Sequence, residues 1–543
     1  MPRRCILKRV PGDMTKRVSD KNENTVHPGI RRSLFPNVPP YIKFSNRVLK
    51  PLPRSIRRLM RWKDSRITPM VVRRVVKNTG FLIKDECACW SGTWTNQIKC
   101  VEYKNLHDHQ KFNHFPGTFQ IGRKDYLWKN IQHMKTRHGE RKFDIMPTTY
   151  VLPQDKKSFR VMFEKSRQDP YWIVKPPASY RGDGIKIIHK YKQLPKMSPL
   201  IVQRYIQNPF LINGHKFDLR LYVLVTSINP LRIFLSENGL VRFASAKYSA
   251  DPRTLNDRYM HLTNYSVNKF NEKYVTNSDA EACQGHKWTL QSLWKFLERE
   301  RQVNIEHLRQ SLNDLVIKTM ISVEDPLNKL SCNHLRSRYN AYELFGFDVI
   351  FDSNMKPWLL EVNVSPSLHS SSLLDEAVKL PLINDTLNIV GFHIPVSKKF
   401  TDEELAAELG ETSVNPLFYD NRMYTPLITK NEKFKHYSFL NKFNRNDYLD
   451  KILSDLTPDD VRHLIVYEDE LTQLGSFEKI FPTTETHKYF KYFDKLRYHN
   501  LLLDAWEAKY HNSRDKGIEL LRNLCEQKFH LRVARKNEAA TIL

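Results

Sequence analysis

Apolar and polar positions change rhythm along the chain. Up to about residue 75 there is no period: "FPNVPPYIKF" and "LKPLPRSIRR" scatter single apolar residues among Pro, Asn and Arg. That composition predicts a basic, extended or disordered segment. From "RRVVKNTGFLIKD" onward, short aromatic-aliphatic strands such as "YWIVKPP", "PLIVQRYI" and "KFDLRLYVLVTS" mix with helical stretches such as "LQSLWKFLERERQ". Their irregular order predicts an α+β fold rather than a βαβ repeat. After "FHIP" at 392–395 the strands give out, "KFTDEELAAELGE" opens on a Thr cap, and residues 484–533 read as long helices. The expected units are a largely disordered segment over 1–75, an N-terminal α/β part over 76–150, further core parts over 151–212 and 213–395, and a helical extension over 396–543.

One stretch carries polar residues inside its apolar runs. "FGFDVIFDSNMKPWLLEVNVSPSL", residues 345–368, reads as a buried hairpin that includes Asp348, Glu361 and Asn363. If Asp352 pairs with Pro357 across a four-residue loop, Asp348 falls opposite Glu361, and Asn363 shares Glu361's face. Carboxylates with Cβ atoms about 5 Å apart repel unless a proton or cation lies between them. Hard oxygen donors in this number suit Mg²⁺ carrying phosphates. On this segment alone, a solvated row with Glu361 paired to a Lys or Arg is equally open.

The chain has 543 residues and a formal charge of +28, unevenly spread: residues 1–80 hold 21 Lys and Arg against 4 Asp and Glu. Its length predicts two to four structural units, and its charge an acidic partner, whether nucleic acid, anionic membrane or acidic protein. The seven cysteines are scattered, with only Cys87 and Cys89 close neighbours and Cys100 nearby, so reduced thiols are expected rather than a zinc finger. No run approaches the roughly 18 apolar residues of a membrane span. "MPRRCILKRVPGDMTKR" lacks an apolar signal core, and Pro11 and Asp13 argue against an amphipathic presequence. A soluble intracellular protein is expected.

The GxxxxGK[ST] and GxGxxG signatures are missing. "YWIVKPPASYRGDGIKII" instead places Lys175 at a strand end, then a loop with Arg181, Gly182 and Gly184, then Lys186 on a second strand. Such a loop can close backbone N–H groups and cations over an anion, or be a surface hairpin. Further on, Lys216, Asp218 and Arg220 alternate along one strand and so share a face, either as a cleft floor or as an ion-paired row. Arg242 and the run from His261 to Ser266 add hydrogen-bond donors.

Taken in order, WIxKPxxxxxGxGI, IVQRYI, KFDLR, GLxR, HLTNYS and FDV…PWLLEVNxSPS resemble the tubulin tyrosine ligase-like family over about residues 81–395. "KDECACWSGTW", "FNHFPGTFQIGRKD" and "LDEAVKLPLINDTLNIVGFHIP" are most similar to its polyglutamylase branch. The resemblance implies an ATP-grasp ligase core, with its central subdomain over 151–212 and its C-terminal subdomain, carrying the metal, over 213–395.

By that resemblance Lys175, Arg181, Gly182 and Lys186 contact ATP, and Gln203, Arg204, Tyr205 and Ile206 form the adenine hinge. Lys216 and Asp218 bind phosphate and ribose, Thr263 and Asn264 add ATP contacts, and Arg220 stabilises the transferred phosphoryl. Asp348, Glu361 and Asn363 hold Mg²⁺, as two ions. Catalysis is assigned to Arg220, Lys216 and Glu361. Arg181, Arg242, Tyr265, Ser266, Lys269 and Lys318 are the implied glutamate or acceptor contacts, with ordinary packing or ion pairing open for each.

The implied reaction joins free L-glutamate, through an acylphosphate, to glutamate side chains in the acidic tails of tubulin or of other acidic proteins. The implied setting is a monomer in the cytoplasm on the microtubule cytoskeleton or at a cilium, with the region around Lys488, Lys491, Lys495, Arg497, Lys509, Arg514 and Lys516 as a microtubule contact. Other classes stay open. A nucleic-acid binder leaves the carboxylate hairpin unexplained. An inactive homologue would be expected to lack one of Asp348, Glu361 or Asn363. A glycine or tyrosine ligase would differ in the residues after Asn264.

Overall fold

The computed structural model describes residues 27–165, 171–178, 182–196, 199–410, 416–440, 444–534 and 539–541. Its backbone is the strand His215–Ile228, in which both faces are apolar for most of its length. Leu219, Leu221, Val223 and Val225 face one core with the long helix Ile305–His334, while Tyr222 and Leu224 face a second core with the helix Leu373–Val390. Each such side chain, fully buried, contributes about 1.5–3 kcal/mol. The strand therefore sits at the centre of an antiparallel sheet. On one side it pairs with Leu240–Phe243 and Leu231–Ser236, and on the other with Glu343–Phe351, which turns back into Pro357–Asn363.

A smaller antiparallel sheet runs in the order Thr149–Leu152, Leu200–Arg204, Trp172–Lys175, Lys186–Ile188. Phe159, Trp172, Val174, Ile188 and Val202 give it a core of its own. A third, parallel sheet sets Arg61–Lys63 between Leu82–Lys84 and Gly92–Thr93. The chain is α+β, as its patterning predicts. Among the described residues no helix is long and apolar enough to cross a membrane.

Two expectations are corrected. Residues 27–75, expected to be disordered, form short strands, two helices and an extended strap. Ile30, Phe35, Val38, Tyr41, Ile42 and Phe44 are buried along it, without periodicity because an extended chain threading between other elements has no face to repeat. The strap is tied to distant partners: Ile42 N–H donates to Phe392 O at 2.7 Å, and buried Asp469 accepts from Ser33 Oγ at 2.7 Å and Tyr41 Oη at 2.9 Å. Residues 1–26 lie outside the described residues.

Strands also continue past residue 395. Phe477–Phe481 pairs with Leu231–Ser236 and becomes the edge of the central sheet. Its five residues, between Gly475-Ser476 and Pro482, are too short to show a period against the helices around them. Those helices include Lys430–Leu440, Pro458–Leu471, Tyr498–Tyr510 and Arg514–Glu526.

Candidate active site

The opposition of Asp348 and Glu361 is observed, but it is reached by another route than the one expected. Phe351 pairs with Pro357, Ile350 with Trp358 and Val349 with Leu359, so the loop has five residues and the register starts one position out. A bulge then takes up Leu360, and Asp348 meets Glu361 after all. Gly346 pairs with Asn363, placing Asn363 on Glu361's face.

The same rows continue across the sheet. Arg220 lies opposite Asp348, and Asp218 opposite Arg242, which lies opposite Lys287. Arg220 grips Asp348 with two N–H donors at 2.6 and 3.1 Å. Arg242 donates from Nε to Asp218 at 2.9 Å, makes a shorter contact through Nη2, and reaches Asp348 Oδ2 at 2.9 Å. Burial alone would push the Asp348 carboxyl up, but Arg220 and Arg242 hold it well below the usual carboxylate range. For Asp218 burial outweighs Arg242, and its carboxyl is raised.

Glu361 pairs instead with Lys124 Nζ at 3.1 Å. Lys124 opens the helix Lys124–His138 and was not singled out in the sequence; more than 200 positions separate the two residues, and only packing brings them together. Asn363 Nδ2 lies 3.4 Å from Glu361 Oε1. The donor set of Asp348, Glu361 and Asn363 is all oxygen, on adjacent strands, and faces open space. It fits a hard divalent cation, whose charge would take the place of the guanidinium and ammonium that these carboxylates now hold.

Two cavities meet at this point, sharing Glu361 and Asn264. The smaller, of about 90 Å³, lies between the two antiparallel sheets, and Lys175, Gln203, Arg204, Tyr205, Ile206, Lys216, Asp218 and Thr263 all line it. Of the three lysines on its lining, Lys124 is the one paired with Glu361, while Lys175 and Lys216 are buried against neutral partners. Lys175 Nζ donates to Gln203 Oε1 at 2.7 Å, and Lys216 Nζ to Tyr205 Oη at 2.9 Å and His261 O at 3.0 Å. Burial pulls Lys175 down to about 8 and Lys216 to about 7. Gly182 also lines this cavity with φ +80°, where a Cβ would come within 3.2 Å of Val267, so glycine is required there. Arg181 lies outside the described residues.

The larger cavity, of about 1240 Å³, brings together Arg242, Tyr265, Ser266 and Lys269, implied as glutamate or acceptor contacts, with Arg220, implied at the transferred phosphoryl. It also exposes a trio not foreseen. Buried Asp375 accepts from Lys287 Nζ at 2.7 Å and pairs with Lys379 Nζ at 2.6 Å, leaving two ammoniums on one carboxylate. The i, i+4 spacing of Asp375 and Lys379 is visible in the sequence, but their proximity to Lys287 is not.

Two expected residues are not brought in. Lys318 lines neither cavity: its Nζ pairs with Asp314, one helical turn back, at 2.7 Å and lies over the Phe143 ring at 5.8 Å. Lys186, first in its strand and paired with Val174, is exposed and off the lining of both cavities.

Residues 102–401 match the Tubulin-tyrosine ligase family. The chain is 46% identical over 523 residues to tubulin monoglutamylase TTLL4 of Homo sapiens, an alignment covering 96% of this chain and 43% of that protein. Against tubulin polyglutamylase ttll-4 of Caenorhabditis elegans it is 39% identical over 520 residues, 94% of this chain and 82% of the relative. Against tubulin polyglutamylase TTLL5 of Mus musculus it is 36% identical over 428 residues, 78% of this chain and 32% of the relative. The chain spans less than half the length of the Homo sapiens and Mus musculus TTLL4 proteins it matches. With the match over more than half its residues, and with relatives aligned over nearly its whole length, this chain belongs to the tubulin-tyrosine ligase family.

Proposed function

We propose that this chain is an ATP-grasp ligase that joins L-glutamate to glutamate side chains in the acidic tails of tubulin. The observation that carries the reading is the cross-strand row Arg220–Asp348–Glu361, standing where a polar cavity with two under-compensated lysines meets a larger cationic one. In this reading Lys175 and Lys216 hold the polyphosphate. Gln203, Arg204, Tyr205 and Ile206 bound the base, and Thr263 and Asn264 close the pocket.

Asp348, Glu361 and Asn363 are the residues that would hold Mg²⁺. That ion, when bound, neutralises charge on the phosphate oxygens. Arg220, freed from part of its hold on Asp348, offers its N–H groups to the transferring phosphoryl. An acceptor γ-carboxylate oxygen bonds to the γ-phosphorus as ADP leaves; the free amino acid's nitrogen then bonds to the acyl carbon as phosphate leaves. The chain's part is positioning and charge, since a carboxylate is a poor electrophile until it is phosphorylated.

Lys287 and Lys379, sharing one carboxylate, leave a net cation in the larger cavity beside Arg242. This favours an amino acid with two carboxylates over glycine or tyrosine. The relatives named as monoglutamylase and polyglutamylase support glutamate as the added residue.

The test incubates the chain with Mg·ATP, microtubules and, separately, glutamate, glycine or tyrosine, and reads the tail masses beside Glu361→Gln. Glutamate-sized increments, lost in the variant, are expected, and their number per tail separates first addition from extension. No increment with any amino acid, with microtubule binding intact, would overturn the reading.

A further inference from the structure

Away from the active site, three buried side chains bring ligand atoms together. His436, Asp459 and His499 come from the helices Lys430–Leu440, Pro458–Leu471 and Tyr498–Tyr510, and one ligand atom from each lies within 4.8 Å of the others. His499 Nε2 is 3.0 Å from Asp459 Oδ2, and His436 Nε2 is 4.0 Å from the same oxygen. A tetrahedral zinc ion with bonds of about 2.0–2.1 Å sets its ligand atoms roughly 3.3–3.4 Å apart. The two separations from Asp459 Oδ2 fall on either side of that spacing, and with the three ligand atoms within 4.8 Å of one another, side-chain shifts of up to about an ångström would close the site.

A second observation points inward. His436 is 7% exposed, yet its Nε2 makes no hydrogen bond among the described residues. Buried polar atoms are almost always satisfied, and one left alone beside a carboxylate and a second imidazole lacks a partner that a cation would supply.

The surroundings orient the carboxylate. Asp459 Oδ1 accepts from Arg338 Nη1 and, at 3.1 Å, from Arg462 Nη2, while Arg338 Nη2 reaches Oδ2 at 3.3 Å. His463 Nε2, 3.9 Å from Oδ2, accepts from Arg338 at 2.8 Å, and its Nδ1 faces Tyr339 Oη, so these contacts keep it out of the ligand set. The two guanidiniums oppose a cation and lower the affinity below that of a bare His₂Asp set. Buried Glu432, which accepts from Asp459 N–H, offsets part of their charge, while Asp460 is already paired with Lys435 Nζ at 2.8 Å. A cavity of about 550 Å³ lined by His463 and His499 gives an entry path and a source for a fourth, water ligand.

We propose that His436, Asp459 and His499 bind a zinc ion that clips the three helices together, independently of the ligase site. Nitrogen and carboxylate ligands favour Zn²⁺ over Mg²⁺. On binding, the proton that His499 Nε2 now donates to Asp459 shifts to Nδ1, which leaves the Nε2 lone pair of a neutral imidazole for the metal.

The experiment strips the full chain with chelator, adds zinc sulfate in excess Mg²⁺ to occupy the carboxylate hairpin, desalts, and measures zinc by mass spectrometry. One equivalent per chain is expected, with a rise of several degrees in melting temperature. That equivalent should be lost in His436→Gln and in His499→Gln and kept in Cys87→Ser/Cys89→Ser. Should the histidine variants fail to fold, zinc X-ray absorption on the unaltered chain decides. Imidazole and oxygen scattering supports the site, and a thiolate shell overturns it. No retained zinc, or equal retention in folded histidine variants, also overturns it.

Discussion

The active-site sheet and the C-terminal helices both bury dense charge, yet they balance it differently. In the helix Pro458–Leu471, Asp459, Asp460, Arg462, Glu468, Asp469 and Glu470 are all buried. In the same region Glu507, on the neighbouring helix, is ion-paired with Lys479 at 2.8 Å and accepts from Arg514 at 2.7 Å and Tyr467 at 2.5 Å. Burial would raise Glu507, but Lys479 and Arg514 bring its carboxyl down to about 2; Lys479 is itself pulled down by burial, so part of the gain is returned. In the sheet the imbalance runs the other way: Lys175 and Lys216 rest on neutral oxygens and are driven toward losing their protons. Buried charge alone therefore does not mark chemistry. Cations left short of anions beside a cavity do.

The contrast breaks most sharply at Glu507. Glu507→Gln strands Lys479, leaves Arg514 with Glu468 alone, and should cost about 3–5 kcal/mol of stability, read by denaturant melts, with turnover per folded molecule unchanged. Glu507's folded value lies below the ordinary 4.5, so its contribution is complete above that pH and fades as pH falls toward 2; the variant should lose that acid limb. A melt within ~1 kcal/mol of the unaltered chain would mean the helical network is no better balanced than the sheet.

Glu361→Gln is the opposite case. Its side chain is 26% exposed and has one ammonium partner, so stability should hold while glutamate transfer falls on the order of 10²–10³-fold. A large loss of stability instead would make Glu361 a structural ion pair. Smaller still, Lys379→Met should raise KM for glutamate roughly 10- to 100-fold and leave KM for ATP alone. Equal changes in both would remove Lys379 from amino-acid recognition.

The finest test is protonic. With Lys216 near 7 and Lys175 near 8, both amines are partly neutral at pH 8, and an arriving polyphosphate raises them. Nucleotide binding should then take up protons at pH 8 and almost none at pH 6. Calorimetry in buffers of different ionisation enthalpy reads the difference, and a heat independent of buffer at pH 8 contradicts it.

Much of the site was legible because strands write their faces into sequence. Lys216, Asp218 and Arg220 had to share one face, and Asp348 and Glu361 had to meet if the hairpin closed, even though loop length and bulge were each misjudged by one residue. What stayed hidden came from far along the chain. Lys124 on Glu361, and Lys287 between Arg242 and Asp375, are set by packing that no local period records. Lys318 erred the other way, since its i−4 partner Asp314 was already a sufficient local account. The strap failed for a compositional reason: Pro and Arg signal disorder, while its apolar residues bury singly.

That strap also has a history in time. Ser33 and Tyr41 leave the ribosome more than 400 residues before Asp469, their shared acceptor. At about 5–20 residues per second, that is a wait of roughly 20–90 s. Throughout it Phe35, which packs in the core of the C-terminal helices, has no native surface to cover it, whereas Phe44 can already stack on Phe81, so the part of the strap that holds Ser33 and Phe35 is made early and finished late. A nascent chain stalled before residue 469 would expose the strap to a chaperone or a protease.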